Sequence, residues 1–227
     1  MTEVALKREI TLERVLLHEL IHRINNEYSF LISAVSRTAA RAVNQDVKVA
    51  LAQIIEVLYH HTELHRALQM PEQDAHIDAA AYVENLCQSI SRSKLDEMKI
   101  DLVVAASPLQ LQSDRCWRLG MIVYELITNA ARHAFANGSG QVRVKLSRAR
   151  KFVECSVTDD GSAPADIQRG RGLTIVNELV RDLGGHIDQK FGHTGSRSIL
   201  TFPYNAEPQQ KGRPEERDCA GVATATT

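Results

Sequence analysis

Apolar residues at Leu16, Leu20, Ile24, Tyr28, Leu31 and Val35 recur near the 3.6-residue period of an amphipathic helix. A second series, Val47, Leu51, Ile54, Leu58, His61, His65 and Leu68, keeps the same period. No glycine or proline precedes Pro71, and these two residues are the main helix breakers. Between the series, Asn44 and Asp46 are each suited to capping a helix start. The pattern predicts two helices over roughly 5–42 and 46–69, folded back as an antiparallel hairpin. Two helices alone cannot cover both apolar stripes, so a homodimer is expected, with two hairpins forming a four-helix bundle. His61 and His65 fall near the stripe and read as bundle residues.

After a polar break at 71–78 the periodicity changes. Ala79–Ser93 predicts a helix, and Lys99–Ala106, rich in β-branched residues, predicts a strand. A long amphipathic helix follows over Asp114–Phe135, with Ser113 or Asp114 as its cap. Gln141–Ser147 and Phe152–Thr158 alternate as strands around a basic turn at Arg148–Lys151. Leu173–Leu183 predicts a helix stopped by Gly184 and Gly185, and His186–Phe191 and Arg197–Phe202 are closing strands. Strand pairs separated by helices indicate a mixed sheet covered by helices, an α/β sandwich of the α+β class. Three regions are expected: a hairpin domain at 1–70, an α/β domain at 71–205 and a disordered tail at 206–227, which has almost no apolar bulk.

Composition narrows the function. With 27 Lys+Arg against 28 Asp+Glu, the net charge of -1 excludes a general nucleic-acid coat. At 44% hydrophobic residues, global disorder is excluded as well. No stretch reaches the roughly 18 apolar residues of a membrane span. The first residues alternate charge with apolar side chains, unlike a secretory signal, so no membrane association and a cytoplasmic location are expected. Cys87, Cys116, Cys155 and Cys219 form no CxxC pair and read as thiols rather than disulfides or zinc ligands.

Three segments carry chemistry-bearing residues. In Glu125-Leu126-Ile127-Thr128-Asn129-Ala130-Ala131-Arg132-His133, a helix places Glu125, Asn129 and Arg132 or His133 on one face. Alone, that is also what a solvated outer face looks like. The chemical alternative is a metal–phosphate site, with Asn129 offering a neutral oxygen to Mg²⁺ and the two cations meeting phosphate or ribose. Asp159-Asp160-Gly161 ends a strand. It is either a plain turn or a carboxylate accepting a hydrogen bond from a ligand amino group, with Gly161 admitting a ring close to the backbone. Gly170-Arg171-Gly172-Leu173 opens a helix, leaving free N–H groups for an anion, with Arg169 and Arg171 alongside.

In order and spacing these segments resemble the N box and two glycine boxes of the GHKL ATPase superfamily. Gly195-Ser196-Arg197-Ser198-Ile199-Leu200-Thr201-Phe202-Pro203 resembles that family's last glycine box and final strand. Within His18-Glu19-Leu20-Ile21-His22-Arg23-Ile24-Asn25-Asn26, the run from His22 looks like the phosphoacceptor helix of HRxxN-type, HWE-related histidine kinases. The resemblance implies a Bergerat-type ATP-binding domain behind a dimeric phosphoacceptor hairpin. It implies that His22 takes the γ-phosphoryl group of Mg-ATP and passes it to an aspartate of a response regulator receiver domain. His18, one turn earlier, is the competing acceptor. Arg23 is expected to steady the phosphoryl charge, and Asn26 to orient the imidazole or a hydrolytic water. A neutral imidazole is nucleophilic near pH 7 without a strong base.

The resemblance gives Glu125 the place of a general base or water-mediated Mg²⁺ partner, and Asn129 the metal. It gives Asp159 the adenine. Arg132, His133, Gly161, Arg169, Gly170, Arg171, Gly172, Leu173 and Gly195 are implied to shape the nucleotide pocket. Ala163 stands where the family's second glycine of DxGxG is usual, and Asn25 replaces a common lysine. The competing functions are a histidine phosphotransferase or scaffold with a non-ATP-binding domain, and a serine kinase of the anti-sigma type. No sensory domain is expected in the chain, so input is expected from a separate sensory protein.

Overall fold

A computed structural model describes residues 3–69, 75–135, 138–162 and 171–205, with side chains from Glu19 onward and excepting that of Arg171. Helix α1 (Glu3–Arg41) and helix α2 (Gln45–Ala67) form the hairpin. Of the two candidate caps, Asn44 serves: its side-chain oxygen accepts from the N–H groups of Asp46 at 2.7 Å and Val47 at 3.4 Å. The rings of Tyr28 and His65 meet across the two helices, their centroids 5.5 Å apart. Leu20, Phe30, Leu31, Val47, Ile54, Val57 and Tyr59 stay exposed along the hairpin.

The α/β domain starts with strand β1 (His76–Asp78), which pairs antiparallel with β3 (Gln110–Gln112). These short strands lie in the expected polar break and in a stretch the alternation does not mark. They are held by backbone pairing, which leaves little periodic trace. Asp78 caps helix α3 (Ala79–Ile90), accepting from Ala80 at 2.9 Å and Ala81 at 3.2 Å. The regular helix expected to Ser93 ends at Ile90 and widens into a π-helical turn over Ser91–Leu95. There Leu95 is fully buried and Lys94 donates to the Tyr124 hydroxyl at 2.8 Å.

Helix α4 (Ser113–His133) begins one residue before the expected start. Neither Ser113 nor Asp114 caps it, because β3 runs directly into the helix. The Ser113 N–H donates to Ala75, and Asp114 pairs with Arg118. Strands β2 (Ile100–Ala106), β4 (Gly140–Ala149), β5 (Phe152–Asp159), β6 (His186–Lys190) and β7 (Arg197–Pro203) form one sheet in the order β2-β4-β5-β7-β6. Only β2 and β4 run parallel, so the sheet is mixed as expected. Val142, Val144 and Leu146 are buried while Arg143 and Lys145 are exposed. That alternation gives the sheet one face for the helices and one for solvent. Helix α5 (Arg171–Asp182) completes the helical layer. Leu86, Ile90, Leu119, Ile122 and Ile127 meet Leu146, Leu200 and Phe202 in a continuous core. The expected tail at 206–227 lies outside the described residues.

Candidate functional site

The C-terminal half of α4, the start of α5 and the ends of β5, β6 and β7 surround a cavity of about 380 Å³. Its helical wall carries Glu125 and Asn129 with both Arg132 and His133, where the spacing had placed Glu125, Asn129 and one or other of the two cations on one face. Glu125 and Asn129 are half-buried, while Arg132 and His133 stand exposed at the rim. Gly172 and Leu173, at the beginning of α5, close the facing side. A Cβ at Gly172 would lie 2.7 Å from Glu125 Oε2 and 3.8 Å from Asn129 Nδ2, so the glycine allows the helix start to meet the polar face of α4.

The acidic pair splits in role. Asp160 is tied off, with Oδ1 accepting from the Gln141 N–H at 2.7 Å. Asp159 lines the cavity, and its Oδ1 accepts from the N–H groups of Gly161 at 3.1 Å and Ser196 at 3.2 Å. Those two donors hold the carboxylate in one orientation. Burial pushes the Asp159 carboxyl above its ordinary value, and the same N–H groups, together with the Ser196 hydroxyl, oppose that shift by stabilising the charge. Val157 and Leu126, both buried, supply an apolar floor beside it. A polar acceptor fixed at the end of an apolar slot suits a flat ring bearing an amino group.

Gly161 and Gly195 stand behind Asp159 rather than on the cavity wall. A Cβ at Gly161 would lie 2.4 Å from the Ala134 carbonyl oxygen. One at Gly195, whose φ is +127°, would lie 2.2 Å from the Asp159 carbonyl oxygen. Both glycines allow backbone segments to close around the carboxylate. Arg169, Gly170 and Ala163 lie outside the described residues, as does the side chain of Arg171, whose backbone begins α5.

The sequence reading missed Ser196, Ser198, Gln189 and Phe191, which also line the cavity. Gln189 Nε2 donates to the buried Ser198 hydroxyl at 3.1 Å. In the ladder Gln189 faces Ser198, and Ser198 faces Val157. These three form one row across the sheet, a juxtaposition that strand alternation yields only once strand order is known.

His22, Arg23 and Asn26 gather on α1 instead. His22 is exposed, and its Nδ1 lies 3.2 Å from Asn26 Nδ2 one turn later. Arg23 pairs with Glu19 at 2.9 Å, both well exposed. Exposed pairs of this kind contribute little, so Arg23 is readily released to another anion. The side chain of His18 lies outside the described residues. Cys87, Cys116 and Cys155 are free thiols, pushed up to about 12 by burial and therefore protonated. Among the described residues, no helix is long and apolar enough to cross a membrane.

Two family models match the chain. One described as histidine kinase covers residues 19–94, and one described as histidine kinase-like ATPase domain covers residues 93–201. The chain is 25% identical over 202 residues to blue-light-activated histidine kinase 2 of Erythrobacter litoralis, covering 84% of this chain and 58% of that protein. It is 27% identical over 190 residues to the sensor histidine kinase PdtaS of Mycobacterium tuberculosis, covering 80% of this chain and 37% of that one. The chain thus spans under two thirds of the length of these relatives. The solved histidine kinase domain of an Erythrobacter litoralis blue-light-activated kinase superposes with a TM-score of 0.56 at 23% identity, covering 78% of this chain and 96% of that chain. Acinetobacter baumannii AdeS superposes with a TM-score of 0.51 at 20% identity, covering 83% of this chain and 98% of that one. The shared feature is the fold, a helical hairpin followed by a mixed-sheet α/β domain.

Proposed function

Because the chain belongs to the histidine kinases through both matched segments, we propose that it phosphorylates its own His22 from Mg-ATP and passes the phosphoryl group to an aspartate of a response regulator. The observation that carries this reading is the convergence of Glu125, Asn129, Asp159 and Gly172 on one cavity of about 380 Å³. That volume is in the range of small-molecule sites.

Asp159 accepts the adenine amino group through the oxygen not taken by Gly161 and Ser196. Gly172 and the first N–H groups of α5 meet the phosphates, with the helix dipole favouring negative charge. The donor set fits Mg²⁺: Asn129 and Glu125 offer hard oxygens one turn apart. When bound, Mg²⁺ neutralises charge on the β- and γ-phosphates.

In the transfer, an imidazole nitrogen of His22 bonds to the γ-phosphorus and the bridging bond to ADP breaks. Asn26 prepares the ring. With its amide oxygen turned toward Nδ1–H, the lone pair lies on Nε2, and with its amide N–H turned there, the proton lies on Nε2. Arg23 releases Glu19 and meets the arriving phosphoryl oxygens. The receiver aspartate then bonds to phosphorus and the P–N bond breaks. The apolar positions left exposed on the hairpin support homodimerisation as a four-helix bundle.

Incubation with γ-labelled ATP tests the assignment. Wild type retains acid-labile label and His22→Ala retains none. Full labelling of His22→Ala removes His22 from the role. Undetectable Mg-ATP binding by calorimetry favours instead a relay that passes phosphate without ATP.

A further inference from the structure

Two aromatic donors of the α/β domain grip the end of the hairpin. The Trp117 indole N–H, on α4, donates to the Leu68 carbonyl at 2.9 Å. The Tyr82 hydroxyl, on α3, donates to the Ala67 carbonyl at 3.1 Å. Ala67 is the last residue of α2 and Leu68 its C-cap, a helix end where carbonyls lack the N–H groups of a following turn. Burial pushes the Tyr82 hydroxyl well above its ordinary value, so it stays protonated and donating. The tyrosine ring reaches this place across Gly120, where a Cβ would lie 2.5 Å from its oxygen. One turn back along α2, Leu64 is 3% exposed and packs in the core of the α/β domain.

The mooring lies beside the phosphoacceptor. Tyr28 and His65 face each other across the hairpin. From there His22 lies six residues toward the open end along α1, and Leu68 three residues toward the same end along α2. At 1.5 Å per residue these steps are roughly 9 Å and 4.5 Å, so Leu68 and His22 stand within about one helical turn of the same level. Helix α4 carries both the mooring and the cavity. Glu125 follows Trp117 by eight residues, about 12 Å along one rigid element. A tilt at Trp117 therefore displaces Glu125 and Asn129 relative to α1.

We infer that Tyr82 and Trp117 are positioning residues for phosphoryl transfer, mooring the ATP-binding domain to α2 at the level of His22 and so setting the approach of the cavity to the imidazole. The inference rests on the reading of His22 as acceptor and the cavity as ATP site. Neither aromatic side chain lines the cavity, so the mooring acts on transfer and not on nucleotide affinity. Small misplacements of reacting groups lower rates by orders of magnitude.

The test uses Tyr82→Phe, Trp117→Phe and the double variant, each of which keeps a ring and removes a donor. Calorimetry with a non-hydrolysable ATP analogue measures binding, and single-turnover labelling at saturating ATP measures transfer. The double variant is expected to bind within about twofold of wild type and to label His22 at least roughly tenfold more slowly. Far-ultraviolet circular dichroism and the urea midpoint establish that it is folded. Gly120→Ala, which forces the Tyr82 ring aside, is expected to repeat the rate loss without the affinity loss. Wild-type labelling with unchanged rates in the double variant overturns the mooring alone. So does a rate loss matched by an equal loss of nucleotide affinity. Absence of labelling in wild type overturns the underlying reading, and the positioning role with it.

Discussion

Gly172 and Glu125 are so close that no methyl group fits between them: a Cβ on the glycine would lie 2.7 Å from Glu125 Oε2. One wall of the cavity is thus defined by a helix start without a side chain and a carboxylate from the facing helix. The atom in the way is the far end of a flexible side chain, so Gly172→Ala moves the carboxylate and leaves the fold intact. Alanine in a helix is favoured over glycine by up to about 1 kcal/mol, so the urea midpoint is expected to hold or rise. If Glu125 polarises the nucleophile, labelling of His22 falls roughly a hundredfold, the scale of a displaced acid–base group. Unchanged labelling with a lowered midpoint contradicts that role.

Asp159→Asn separates stability from binding. The asparagine oxygen keeps both N–H bonds, from Gly161 and Ser196, so local geometry survives. On the proposed reading of the site, the other carboxylate oxygen becomes an NH₂ group that would meet the adenine amino group donor to donor. Nucleotide affinity is expected to fall at least about a hundredfold, since a site built around one hydrogen bond strongly rejects its loss. Because burial raises the Asp159 carboxyl, the native state holds that proton more tightly than the unfolded chain does. Wild-type stability relative to the variant therefore decreases as pH rises from about 4 through the raised value, then stays level. Paired urea titrations between acid and neutral pH measure the difference. A wild type that gains on the variant over that range refutes the burial argument.

Gly195→Ala offers no such separation. Its φ of +127° disfavours any side chain, and the Cβ would lie 2.2 Å from the Asp159 carbonyl oxygen, a backbone atom that cannot swing away. The loop must shift, and with it the Ser196 N–H that holds the carboxylate. A loss of about 2–3 kcal/mol in stability is expected, together with loss of detectable ATP-analogue binding. A variant that binds normally shows that the loop does not define the pocket.

The sequence made the long elements legible and left the short ones hidden. The hairpin helices, α4 and the β4–β5 pair announce themselves because burying one face imposes a period on many residues. Strands β1 and β3 are three residues each, and the π-helical turn at Ser91–Leu95 exists to bury Leu95 and bring Lys94 to Tyr124. Those are tertiary demands with no local pattern. In the cavity the same division holds. Glu125, Asn129 and Arg132 share a helix face fixed by spacing, so their meeting is readable from the chain. Ser198 and Gln189 join them only through the order β5-β7-β6, which spacing does not encode. That Asp159 and not Asp160 faces the cavity follows from the Gln141 N–H that holds Asp160 outside.

His65 gives the junction between hairpin and α/β domain a dependence on pH. Its ring lies against Tyr28 of α1. Burial lowers its affinity for a proton, and His61 on its own helix and Lys94 of the π-helical turn lower it further. In the pH range between the depressed native value and about 6.5, the unfolded chain therefore binds more protons than the folded one. Stability then rises with pH through that range and falls as the solution is acidified. His65→Gln keeps a polar side chain of similar size and removes the titration. The two proteins are expected to have parallel urea midpoints above pH 7, and the wild type to lose more between pH 7 and pH 5.5. The remaining histidines are common to both proteins, so the difference reports on the His65 position and its interaction with His61. His61→Gln is expected to soften the wild-type dependence without abolishing it, because burial is the larger cause. Identical slopes in wild type and His65→Gln show that protonation of this ring is not resisted by the fold.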